Sequence, residues 1–280
     1  MSLRSLLVLL CVSFWLAGCA SNTTQHVPDS ITFSDWQEAK AVYELSLAQV
    51  MGSVPVPDAI EQEDASLIQA IDQNLYPHLF WGHVQADGQL MAATEGHADG
   101  LWVLFLDNDH PSLNQPGPTL QTGRQANLLA VTVRPDRISP AFAGVFLTHE
   151  LMHGFNDLFA DGALPEASEF NAYSVEKAAY NYRYNGRLNA VLDDLLDARN
   201  LDNHDDFVAF TRADDDRLNQ FLLNIDDKLG HGPAHSPAER QMRMEFYLMA
   251  ASIRVGERSG ATFFDNTARL NRLLEQRRRF

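Results

Sequence analysis

Apolar and polar positions along this chain change period twice. Residues 34–50 carry apolar positions at helical spacing, with Ser34 and Gln37 placed as a capping box and Gly52 as the stop. The segment Val54-Pro55-Val56-Pro57 is an extended connector, and a second helix is expected over about 65–75, before Pro77. The pattern then shortens to strand-like runs. Residues 79–84 and 89–94 flank Ala86-Asp87-Gly88 as a hairpin, 101–106 is an apolar strand, and 128–133 is another, ended by Pro135. The Pro/Gly/Asn-rich stretch 107–123 reads as a loop between them. From residue 139 the helical period returns and holds to the end, with helices expected at about 139–160, 165–184, 187–198, 204–227, 237–256 and 260–278. No internal repeat interrupts this order. The expected class is α+β: a small N-terminal sheet packed on the 139–160 helix, followed by a mostly helical C-terminal lobe.

The helix over 139–160 is apolar on most sides, through Phe142, Val145, Phe146, Leu147, Leu151, Met152, Phe155, Leu158 and Phe159. Such a helix is expected to be buried. Ser139 and Pro140 suit its start, and Asp161-Gly162 its end. It nevertheless carries His149-Glu150-Leu151-Met152-His153, an HExxH motif. Residues four apart stand one turn apart on one helix face, so His149 and His153 can direct two imidazole nitrogens at one zinc ion. Glu150, about 100° further round the helix, can reach a water on that ion without ligating it. Buried imidazoles need partners, and a metal supplies them.

Catalytic zinc takes three protein ligands and keeps one position open. The helix that starts at Pro165 offers Glu169 as first choice for the third ligand, with Ala172 small enough to let the two helices approach; Glu166 and Glu176 are the alternatives. Water on the ion would be activated by Glu150 as general base, and the oxyanion of the reaction needs a further donor, for which Tyr173, Tyr180, His231 and His235 are candidates. His26, His78, His83, His97, His110 and His204 read as surface or structural residues.

The motif followed by a helix-borne glutamate resembles the gluzincins, the thermolysin-like class of zinc metallopeptidases, over about forty residues from Ser139 to Tyr180. The resemblance implies a zincin-like fold, zinc on His149, His153 and Glu169, Glu150 as general base, and peptide-bond hydrolysis of a peptide or protein substrate. It also implies a cleft lined by a strand that pairs with extended substrate, for which residues 128–133 or 101–106 are the expected strand. Many members carry an aspartate four residues after the ligand glutamate, bonded to a ligand histidine. Tyr173 stands there instead; Asp157, one turn beyond His153, is a candidate substitute or else a helix-end charge, and a carboxylate on the free ring nitrogen would fix the tautomer.

The N-terminus carries separate information. Arg4 precedes an apolar run over residues 6–16, then Leu16-Ala17-Gly18-Cys19. This reads as a signal peptide, residues 1–18, and its end resembles a bacterial lipobox. That resemblance implies cleavage before Cys19 and a lipid anchor on the Cys19 sulfur. With Ala20 following, it favours the outer membrane, facing the periplasm. Residues 19–33 then form a lipidated tether and residues 34–280 one domain, with a sheet-containing lobe to 163 and a helical lobe from 164. Of the 2 cysteines, Cys11 leaves with the signal and Cys19 is acylated, which excludes a structural disulfide and a cysteine nucleophile from the mature chain. The net charge of −16 opposes binding to nucleic acid. Two alternatives share these features: a non-catalytic, lipid-anchored zinc protein of envelope assembly, and a zinc amidase acting on cell-wall peptide. An intact Glu150 counts against the first, because a purely structural site has no need of it.

Overall fold

The computed structural model describes residues 36–51, 60–74, 76–84, 90–92, 100–106, 120–125, 128–134, 137–159 and 165–261. The expected signal peptide, Cys19, the tether, Ser34 and the helix expected over 260–278 lie outside these, Gly260 and Ala261 apart. Two helices come first, α1 (Trp36–Val50) and α2 (Gln62–Asn74). Five strands follow: β1 (Leu79–Val84), β2 (Leu90–Ala92), β3 (Leu101–Leu106), β4 (Leu120–Gln125) and β5 (Leu128–Val133). Six helices complete the described residues: α3 (Pro140–Phe159), α4 (Pro165–Arg183), α5 (Arg187–Asp197), α6 (His204–Ala213), α7 (Asp215–Leu229) and α8 (Pro237–Arg258). The class is α+β and mostly helical, as the change of period indicated.

The sheet order is β2-β1-β3-β5-β4, with β1, β3 and β5 parallel in the centre and β2 and β4 antiparallel at the edges. Both strands expected to line a cleft, β3 and β5, are therefore interior, and their backbone groups are taken by neighbours. The edge beside β5 belongs to β4, which falls partly inside the stretch read as a loop. Its composition hides it: Gln121, Thr122, Gly123, Arg124 and Gln125 give no apolar alternation, and the ladder to β5 from Leu120↔Val133 to Gln125↔Leu128 supplies the order instead.

Alternation in β3 explains the two faces of the sheet. Leu101, Val103 and Phe105 pair in register with Leu129, Val131 and Val133, and all six join the main core between sheet and helices. Trp102, Leu104 and Ala130 face the other way, into a smaller cluster with Phe80 and Val84. The main core runs from Ala39 on α1 to Val255 on α8.

Within this core α3 is held tightly. A Cβ on Gly144 would lie 2.3 Å from the Ser46 carbonyl oxygen, so only glycine permits the close crossing of α1 and α3. The Gly144 N–H donates to Ser46 Oγ at 2.8 Å across that crossing. At its start, Ser139 occupies the expected cap position, but its hydroxyl donates outward, to Glu239 Oε1 on α8 at 2.6 Å, while the Ser139 N–H donates to Glu239 Oε2 at 3.0 Å. Glu239 is fully buried and neutralised by Arg243, whose Nε and Nη2 reach Oε1 at 3.0 and 2.7 Å. A second buried charge, Lys177 on α4, is met by Asp64 of α2 and Glu257 of α8 at 3.3 and 2.9 Å.

The expected helix over 204–227 is two helices. Asp214 is extended (φ −165°, ψ 117°) and its side chain accepts from the Asp216 and Arg217 N–H groups, capping α7. An aspartate run without Gly or Pro gave no stop signal, although aspartate competes for helix N-termini by this bond. Among the described residues no helix is long and apolar enough to cross a membrane.

Candidate metal centre

Helices α3 and α4 pack against each other, and Ala172, on the same face of α4 as Glu169 and Glu176 by helical spacing, is fully buried. Positions 169, 173 and 176 are spaced i, i+4, i+7, so Glu169, Tyr173 and Glu176 form one stripe on α4. That stripe meets His149 and His153 of α3. His149 Nε2 and His153 Nε2 lie 3.2 Å apart, and Glu169 Oε2 is 3.7 Å from the first and 3.8 Å from the second. These three residues form a group able to hold a metal ion. A triangle with those sides has its centre about 2.1 Å from each corner, the bond length of zinc to imidazole nitrogen and carboxylate oxygen. Side-chain exposure rises from Glu176 (4%) through His149 (13%) and His153 (20%) to Glu169 (33%), so the site opens to solvent on the His153–Glu169 side.

Glu176, held open as an alternative ligand, has a different place. Its Oε2 lies 3.0 Å from His149 Nδ1, the ring nitrogen turned away from the triangle. Accepting the Nδ1 proton leaves Nε2 as the ligating atom. Asp157, a candidate for that role, is exposed, and its charge acts on His153 only through space. The physical reason is register. Seven residues beyond Glu169 is two turns, which keeps Glu176 on the ligand face. Asp157 lies one turn past His153 on a neighbouring face that turns to solvent. The Glu166 side chain lies outside the described residues.

Charge at the site is almost wholly acidic. Burial disfavours the His149 cation, but the Glu176 bond and the charges of Glu176, Glu150 and Glu169 outweigh it and raise the imidazole to about 9. Burial pushes the Glu176 carboxyl up to about 7 against the pull of His149. His153 is lowered, by burial and then by the charge on His149. Without metal, the His149 cation can therefore donate from Nε2 to the neutral His153. Two imidazoles aimed at one point need either a shared proton or a cation between them. Glu150 is half-buried beside the pair, and its negative charge reaches both histidines and Glu176.

The four candidate oxyanion donors separate. Tyr173 touches the ligand set, with its ring edge-on to His149 at 4.4 Å between centroids, but its hydroxyl proton goes to Glu245 Oε1 on α8 at 3.1 Å. Tyr180 and His231 bond to each other and pack against Phe142, two turns of α3 before His149. Burial and Arg243 lower His231 to about 4, so its ring is neutral there. His235 is exposed, and its backbone N–H donates to Glu239. None of the four aims a free donor at the triangle. Of the other histidines among the described residues, His83 and His204 are buried, His83 stacked on Trp36, and His78 is exposed, while His26, His97 and His110 lie outside the described residues.

Sequence reasoning missed Glu245 entirely. It lies 76 positions beyond Glu169 in a helix whose own pattern is amphipathic. No local signal marks it, and only the packing of α8 on α4 brings it to Tyr173. No protein-family model matches the chain, and neither a curated protein nor a solved structure matches it, so the centre stands on its own geometry.

Proposed function

We propose that this protein is a zinc-dependent peptidase of the bacterial cell envelope, anchored by lipid on Cys19. The observation that carries the reading is the convergence of His149, His153 and Glu169 on one point, with Glu150 beside it and Glu176 behind His149. A structural zinc site is closed by four protein ligands, whereas three ligands with a solvent-facing side match a catalytic one. The fold supports the reading too: α3 lies against β4 and β5, and β4 is an antiparallel edge strand. In a zincin-like cleft such an edge takes up substrate as an added strand.

Zinc, when bound, supplies Lewis acidity: it lowers the pKa of a coordinated water and polarises a carbonyl. The chain's residues do the rest. Glu176 accepts a hydrogen bond from the Nδ1–H of His149 and fixes its tautomer. Glu150 accepts the proton of the attacking water and delivers it to the leaving amide nitrogen, which converts a poor leaving group into an amine. The carboxylate on Glu169, the most exposed ligand, leaves the approach on its side open to the peptide.

The test is cleavage of a peptide library by the metal-stripped and zinc-restored chain. The expected result is one ion per chain in the restored protein and cleavage only in that form, both lost in His149→Ala, His153→Ala and Glu169→Ala. A fully loaded chain that cleaves no peptide would refute the peptidase.

A further inference from the structure

We propose that Glu245, on α8, is a positioning residue of the metal centre: it anchors the Tyr173 hydroxyl so that the phenol ring holds the His149 imidazole in its ligating orientation. The inference rests on the reading of His149 as a metal ligand.

A ligand imidazole is set by what its other ring atoms touch. The bond from Nδ1 to Glu176 fixes one point of the ring, and a ring held at one point still pivots about that bond. Two contacts close the pivot. His153 crosses the ring at 78° with centroids 4.9 Å apart, and Tyr173 crosses it at 70° with centroids 4.4 Å apart. Both are edge-to-face arrangements, the geometry aromatic rings favour. Tyr173 is thus the wall of the ligand pocket on the α4 side.

The wall needs its own support. Tyr173 is buried, and its far end is a hydroxyl that must find an acceptor. Glu245 Oε1 accepts it at 3.1 Å from a third helix. Helix α8 is itself pinned to the start of α3 through Glu239 and Ser139, so Glu245 reaches Tyr173 from a fixed base. A phenol has one proton to donate, and here it is given to Glu245. Tyr173 therefore serves the centre through its ring rather than by donating to a substrate oxygen. Glu245 has no contact with the three ligand atoms, and its influence on them passes through Tyr173.

Glu245 also carries a charge close enough to Glu176 to raise that carboxyl, so charge and position must be separated by experiment. Zinc affinity of the full chain, by competition with a chromogenic chelator at fixed pH, is compared for wild type, Glu245→Ala, Glu245→Gln, Tyr173→Phe and the Glu245→Ala/Tyr173→Phe double variant. Metal-free melting temperatures are recorded alongside. Tyr173→Phe keeps the ring and its packing, so it folds even if Glu245→Ala does not. The expected result is a loss of about 10-fold or more in zinc affinity for Tyr173→Phe and Glu245→Ala, the range seen for outer-shell partners. Gln at 245 keeps the acceptor oxygen and restores affinity to within about threefold, and the double variant is no weaker than the single ones. Wild-type affinity in Tyr173→Phe and Glu245→Ala would overturn the proposal. So would a loss in Glu245→Gln equal to that in Glu245→Ala, which would assign the effect to charge. A wild-type chain that binds no zinc would instead overturn the metal centre itself.

Discussion

Replacing Glu176 by Gln should change how zinc affinity depends on pH more than it changes affinity at pH 7. In the metal-free chain Glu176, Glu150 and Glu169 hold His149 up to about 9. Below that pH a proton occupies the nitrogen that must ligate, and metal binding has to displace it. At pH 7, below that value, the competition weakens zinc binding by on the order of 100-fold. The sign follows from the raised pKa: competition is strongest at low pH and fades as pH approaches 9. Wild-type affinity should then rise about tenfold per pH unit between 7 and 9. Gln keeps an acceptor for His149 Nδ1 but removes the nearest charge, so burial acts with less opposition and the imidazole falls toward its ordinary range. The slope between pH 7 and 9 should flatten. The limiting affinity should drop by about 10- to 100-fold through the weaker support behind the ligand. At pH 7 the two effects nearly offset each other, and at pH 9 only the loss remains. The assay is chelator competition at pH 7, 8 and 9. Parallel slopes for the two proteins would refute the assignment of Glu176 as the group that sets His149.

Glu239→Ala should cost about 3–5 kcal/mol in denaturant unfolding, because it leaves the Nε and Nη2 of the buried Arg243 without their carboxylate, with Asp226 (3.5 Å) and the Gly232 carbonyl (2.9 Å) remaining at Nη1, and takes the acceptor from Ser139 and His235; a loss below about 1 kcal/mol would contradict the pinning of α8 to α3. Gly144→Ala should destabilise by about 1–3 kcal/mol, since its Cβ would overlap the Ser46 backbone. Unchanged or raised stability, as at an uncrowded helix glycine, would show that α1 and α3 do not cross closely.

What could be read from the sequence was what local period controls. The spacing of His149 and His153 and the placement of Glu169 after a proline-started helix carry the ligand triangle, because one helical turn relates the first pair and α3 packs on α4. Strands β3 and β5 showed themselves as apolar runs because both of their faces are covered. Their interior position did not, since strand order depends on crossovers rather than composition. β4 was hidden because an edge strand can be polar. The split at Asp214 escaped because its stop signal is a side-chain cap within an acidic run. The sequence offers Asp157, one turn past His153, as the carboxylate behind a ligand histidine, whereas helix period over two turns from Glu169 delivers Glu176 to His149. Glu245 is the extreme case: a residue tied to the centre only by tertiary packing.

The central claim is that Glu150 works as general base at a metal held by its neighbours, and the most direct measurement is one preparation of zinc-loaded Glu150→Gln beside wild type. Metal content and peptide cleavage are read on the same samples. The account predicts one zinc per chain in both proteins and cleavage in wild type alone, with the variant lower by at least about 100-fold. Cleavage by Glu150→Gln at the wild-type rate would contradict it.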